Sequence, residues 1–153
     1  HDNPNPRVTS DTVTELLGYE AKNGYQSERA YCDLQDIAEQ AKNNFLKFLI
    51  SAKEEGKSVC AFGAAAKGNT FINFSGIRPD LIQAVGDSNP AKQGKFMPGS
   101  RIPIVSEKEI ANSKPDYIVI LPWNLKEEIV GRLSYMNSWG CRFVVAIPDL
   151  QII

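Results

Sequence analysis

Two hydrophobic rhythms divide the chain. In its first third, apolar residues return every three or four positions, the spacing of one helix face. Leu34, Ile37, Ala38, Ala41, Phe45, Phe48, Leu49 and Ala52 make one such stripe. They predict a long helix that begins after Ser27 and stops at Gly56. A shorter helix is expected ahead of it. There Thr12-x-x-Glu15 reads as a capping box before Val13, Leu16 and Leu17, and Asn23-Gly24 as the stop. From Ser58 short continuous apolar runs replace the stripe, at 59–62, 81–85, 102–105, 117–121 and 143–147. Such runs suit strands covered on both faces, as in a parallel sheet.

Helical signals separate these runs. One helix is expected from near Gly68. A second follows the Ser106-x-x-Glu109 capping box. A third follows Asn124-x-x-Glu127, carries Leu125, Ile129, Leu133 and Met136, and ends at Gly140. Strands alternating with helices imply right-handed βαβ units. The fold class expected is α/β: a Rossmann-like, doubly wound, mostly parallel sheet of about five strands, preceded by a helical lead-in. The expected division is a linker at 1–9, the lead-in at 10–56 and the Rossmann-like unit at 57–153. His1 to Arg7 hold two prolines and read as a linker or a cut from a longer polypeptide.

Composition narrows the function classes. Hydrophobic residues make up 42% of 153 positions, enough for one packed core. Seventeen basic against 18 acidic residues leave a net charge of −1, with no excess to neutralise a nucleic-acid backbone. No run approaches the roughly 20 apolar residues of a membrane span. Cys32, Cys60 and Cys141 are odd in number and far apart, which argues against a disulfide framework and a zinc site. Cys60 and Cys141 lie in apolar runs and are expected to be buried thiols. This usage fits a reducing cytoplasm.

Ligands of an open parallel sheet bind beyond the carboxyl ends of its strands. Four segments fall there. The first, 62–70, places Gly63, Ala64, Lys67, Gly68 and Asn69 between a strand and a helix, where free amides and the helix dipole favour an anion. Gly63 and Gly68 match the first and last glycines of a dinucleotide loop, but Ala65 stands where its second belongs. A Walker loop is excluded because Lys67 precedes Gly68. The alternative is a tight turn with a solvated lysine. The second segment holds Asp87 and Asn89. Asp87 lies 24 positions after Gly63, near the spacing of a ribose-binding acid, or else it is a turn aspartate. The third is the polar stretch with Lys92 and Gln93. The fourth holds Trp123, which can stack on a base or pack, and Asn124, which can bond a base or cap a helix.

Taken together, these segments resemble the C-terminal domain of the S-adenosylmethionine-dependent sugar C-methyltransferases. Residues 63–70 reproduce that family's Gly-Ala-Ala-Ala-Lys-Gly-Asn-Thr loop. Asn73 and 76–82 reproduce its Asn-x-x-Gly-Ile-x-Pro-Asp-Leu-Ile stretch. Asp87 to Gly99 follow its Asp-x-Asn-Pro-x-Lys-Gln-Gly-Lys-x-x-Pro-Gly pattern, and 122–126 its Pro-Trp-Asn-Leu-Lys. The match is close over about 57–149. His1 aligns with a His-Gly-Gly-Ser-x-Arg segment whose glycines are absent here.

The resemblance implies an enzyme with a zinc-binding domain, a central S-adenosylmethionine domain and this Rossmann-like one. It implies a nucleotide-diphospho-sugar partner, a keto-deoxy sugar on thymidine diphosphate, lying between this domain and the central one. Substrate contacts are then expected from Gly63, Ala64, Lys67, Gly68, Asn69, Asp87, Asn89, Lys92, Gln93, Trp123 and Asn124. The family's catalytic Glu-His pair belongs to the central domain and has no counterpart here, so no catalytic residue, metal or cofactor is expected in this chain. Two alternatives stay open: a dinucleotide-dependent oxidoreductase domain and a non-catalytic scaffold.

Overall fold

The computed structural model describes residues 10–153. The expected linker at 1–9, with His1 and Arg7, lies outside the described residues. The chain divides into two compact units, one ending at Ala38 and the other Glu39–Ile153.

In the first unit, α1 spans Asp11–Lys22. The expected Thr12 capping box does not form. Ser10 holds the cap position, without a side-chain bond, and Thr12 lies inside the helix. Asn23 ends α1 as expected, with Gly24 at φ +75°. A short 3-10 turn, Glu28–Tyr31, follows Ser27. The long helix α2, Leu34–Glu54, therefore starts at the first residue of its apolar stripe and not directly after Ser27, because 28–33 form the 3-10 helix and the turn after it. Gly56, at φ +70°, stops it as predicted, and the Lys57 amide closes the turn onto Ala52 O at 2.8 Å.

The second unit is the sheet. Its strands are β1 (Val59–Phe62), β2 (Val85–Gly86), β3 (Ile104–Val105), β4 (Tyr117–Ile120), β5 (Arg142–Val145) and β6 (Gln151–Ile152). Their order is β3-β2-β1-β4-β5-β6, with β1 to β5 parallel and β6 antiparallel to β5. Between them lie α3 (Ala66–Phe74), α4 (Glu107–Ser113) and α5 (Lys126–Leu133). The direction of travel reverses beside β1, which opens the crevice of a doubly wound fold between the ends of β1 and β4.

Alternation along each strand feeds two cores. Val59, Ala61, Tyr117, Val119 and Val144 face Phe45, Leu49, Ala52 and Ile72 of α2 and α3. Cys60, Phe62, Ile118, Ile120, Phe143 and Val145 face Ile110, Ile129, Leu133 and Met136. Both faces are covered, which is why β1 and β4 are apolar throughout and β5 is apolar after Arg142. The run at 81–85 joins the sheet late. Gln83 and Ala84 bond to β1, but only Val85 and Gly86 make regular ladder pairs. The sixth strand had no periodic signal, being two residues long.

Two further helix ends test the capping signals. Ser106 and Glu109 form the reciprocal box expected of them. The Asn124 box does not form. Trp123–Leu125 is a 3-10 turn, α5 begins at Lys126, and the Asn124 side chain turns elsewhere. Residues 134–139 continue α5 as a 3-10 helix up to Gly140.

Candidate functional site

The carboxyl ends of β1, β2 and β4 bring the four predicted segments to one end of the sheet. The loop after β1 is shaped by two glycines. Gly63 sits at φ +92°, and a Cβ there would stand 2.4 Å from Cγ of Pro122. A Cβ on Gly68 would stand 2.5 Å from Cβ of Leu121. The first glycine makes the turn, and the second seats α3 against the β4 end. Ala65, at the cap position of α3, offers no side-chain acceptor. The opening amides of Ala66, Lys67 and Gly68 have no preceding helical turn to bond, so the helix presents donors at this end.

Two side-chain groups flank that helix start. On one side the Lys67 ammonium donates to Oδ1 of Asn124 and lies 5.0 Å from the Trp123 ring centre. Lys67 and Asn124 are exposed and Trp123 is half-buried. Lys67, Thr70, Phe71, Phe74 and Trp123 wall a 310 Å³ cleft. On the other side Asp87 is buried. Its Oδ2 accepts from the Ala64 amide at 2.7 Å and from Lys92 Nζ at 3.1 Å, and its Oδ1 accepts from the Asn89 amide at 2.9 Å. Lys92 also donates to Ala64 O at 2.8 Å, and Gln93 donates to Asp87 O at 2.9 Å. Asn89 accepts from the Ala91 amide. A second cleft, of 350 Å³, runs along Ala64, Ala65, Ala66, Asn69, Lys92, Met97 and Pro98. The Asn69 Oδ1 atom is buried beside it with no hydrogen-bond partner among the described residues.

All eleven predicted site residues thus gather around the start of α3, in two groups. Sequence reasoning missed Arg132. It donates to the Ser88 hydroxyl at 2.8 Å, pairs with Glu107 at 2.6 Å and lies over the Phe62 ring. On α5 it falls on the polar face, and no pattern marks it there as a rim residue.

Elsewhere the chemistry is structural. At the amino ends of the strands, Asp116 ties β1 to β4. The Ser58 amide, then Lys57, hold its carboxyl below the usual carboxylate range. Cys60 and Cys141 are buried as expected, and burial pushes Cys141 up to about 11. Neither is a ready nucleophile at neutral pH. A larger cleft, of 540 Å³, lies outside the four segments, between α5 and β6. Among the described residues no helix is long and apolar enough to cross a membrane.

The family model for the C-methyltransferase C-terminal domain matches residues 1–148. The chain is also 34% identical over 141 residues to C-methyltransferase NovU of Streptomyces niveus, an alignment that covers 92% of this chain and 34% of that protein. The chain thus spans about a third of the length of the curated relative it matches.

Proposed function

This chain belongs to the C-methyltransferase C-terminal domain family, and on that premise we propose that it binds the nucleotide-sugar substrate of a C-methyltransferase. The substrate class is a keto-deoxy sugar on thymidine diphosphate. The observation that carries the reading is the convergence of an uncapped helix start, the Lys67 ammonium and the Trp123 ring at one end of the sheet. Amides of Ala66 to Gly68 and Lys67 receive the diphosphate. Trp123 stacks on the base and Asn124 bonds its edge. Asn69 serves the sugar side, and Gly63, Ala64, Asp87, Asn89, Lys92 and Gln93 form the wall.

In the whole enzyme this grip lends remote binding energy to orient the reacting carbon. S-adenosylmethionine, held on this reading by a central domain of the same polypeptide, supplies the methyl group. Zinc, on the same reading, is held by a separate zinc-binding domain outside this chain. The described residues offer no group of three His, Cys, Asp or Glu side chains that could hold a metal ion. A dinucleotide reading is disfavoured because Asp87, at the position of a ribose-binding acid, is turned onto its own chain.

Calorimetric titration of the chain with thymidine diphosphate, NAD and S-adenosylmethionine tests the proposal, with tryptophan fluorescence as a second readout. Thymidine diphosphate alone is expected to bind, and Trp123→Phe to remove most of the fluorescence response. Micromolar binding of S-adenosylmethionine, or a response that persists in Trp123→Phe and so belongs to Trp139, overturns it.

A further inference from the structure

Ala64 is the one residue of the loop whose two backbone polar groups are both taken by side chains from another segment. Asp87 holds its amide and Lys92 holds its carbonyl, while the two side chains pair with each other. The turn at 87–92 makes this possible. The Asn89 carbonyl accepts from the Lys92 amide, the Asn89 side chain accepts from the Ala91 amide, and Lys92 is thereby brought back over Asp87. The Asp87 side chain is 10% exposed, against 41% for Lys92. A carboxylate that deep needs donors on its oxygens, and here three donors from its own chain supply them. We infer that Asp87 and Lys92 are positioning residues that clamp the Ala64 peptide, and that Asp87, so occupied, reads no ribose hydroxyl.

This inference rests on the nucleotide-site reading only for its second half. Its consequence is specific. The acid at the end of the second strand, which in dinucleotide folds bonds the ribose 2′-hydroxyl, here sets the shape of the phosphate loop. The site should then accept nucleotides with and without a 2′-hydroxyl alike. Asp87→Ala removes both acceptor oxygens, so the Ala64 amide loses its partner outright, whereas the oxygen left in Asp87→Asn could still accept from it. Lys92→Met removes the cation at a more exposed position and leaves the carboxylate in place.

The experiment has two arms, run on the 153-residue chain. Amide hydrogen exchange is followed residue by residue in wild type, Asp87→Ala and Lys92→Met. The Ala64 amide is expected to exchange about tenfold faster or more in Asp87→Ala, with the β4 and β5 amides still the slowest to exchange. A smaller acceleration is expected in Lys92→Met. In the second arm, affinities are measured for thymidine diphosphate and 5-methyluridine diphosphate, which differ only in the 2′-hydroxyl. Their ratio is expected to stay within about threefold in all three proteins, less than a charge-assisted hydrogen bond would give. An Ala64 amide that keeps wild-type protection in both variants overturns the clamp. A tenfold preference for the ribonucleotide that vanishes in Asp87→Ala overturns it as well. A loosened Ala64 amide in a chain that binds neither nucleotide leaves the clamp standing and defeats the nucleotide-site reading instead.

Discussion

Lys92 and Lys67 flank the same loop and have opposite surroundings. Lys92 faces a buried carboxylate and a backbone carbonyl of the loop, so its charge is spent inside the fold. Lys67 faces a neutral amide oxygen and the face of an indole ring. Neither of those cancels its charge, and a phosphate can displace the amide without leaving a buried ion unpaired. The difference separates a lysine that builds the site from one that is available to a ligand. It also shows why loop position alone did not sort the eleven candidates. All of them sit at the strand ends, but only the partners of each polar atom tell which are already satisfied.

The largest break in this comparison comes from truncating each side. Asp87→Ala strips Lys92 and the Ala64 amide of their acceptor and is expected to cost about 3 kcal/mol of stability, near the lower bound for breaking a buried pair because Lys92 stays partly hydrated. Lys67→Ala is expected to cost less than about 0.5 kcal/mol, as exposed changes do. In binding the order reverses in character. Lys67→Ala should weaken thymidine diphosphate by about tenfold or more with the fold intact, and Lys67→Arg should not restore it fully, since a planar fork cannot replace a compact ammonium. Denaturant melts and calorimetry at one ionic strength measure both. A Lys67→Ala chain that melts markedly lower and binds normally reverses the assignment of the two lysines.

The smallest expected effect lies at the other end of the strands. Asp116, held below the ordinary carboxylate range chiefly by the Ser58 amide, is more stable ionised in the folded chain. Its contribution is present above the unfolded value near pH 4 and is lost as pH falls through the lower folded value. Asp116→Asn should therefore flatten the acid limb of the melting curve below about pH 4 and leave ligand affinity unchanged. The pair with Lys57 is largely exposed, so the shift in Tm should be about 2 °C or less.

Much of the fold was legible because both faces of the sheet are buried. The unbroken runs at 59–62, 117–121 and 143–147 each became a strand, and Gly56, Gly140 and Ser106 marked helix ends where expected. What failed was local and short. Thr12 and Asn124 carried the spacing of a capping box, but that spacing says nothing about the tertiary partner a side chain finds, and Asn124 found Lys67. A two-residue antiparallel strand gives no period to read. At the candidate site, glycine spacing and the acid at 87 singled out loops that the fold brings to one end of the sheet. The internal clamp was not readable, because Asp87, Lys92 and Ala64 meet only through a turn and a strand pairing that the linear order does not contain.

The central claim is that the start of α3, with Lys67 and Trp123, is the nucleotide site. Amide and indole shift mapping during a thymidine diphosphate titration tests it most directly. The account predicts the largest changes at Ala66, Lys67, Gly68 and the Trp123 indole, saturating together with one affinity. Changes concentrated instead at Val130, Gly131 and Gln151 around the cleft between α5 and β6, with the α3 start silent, would contradict it.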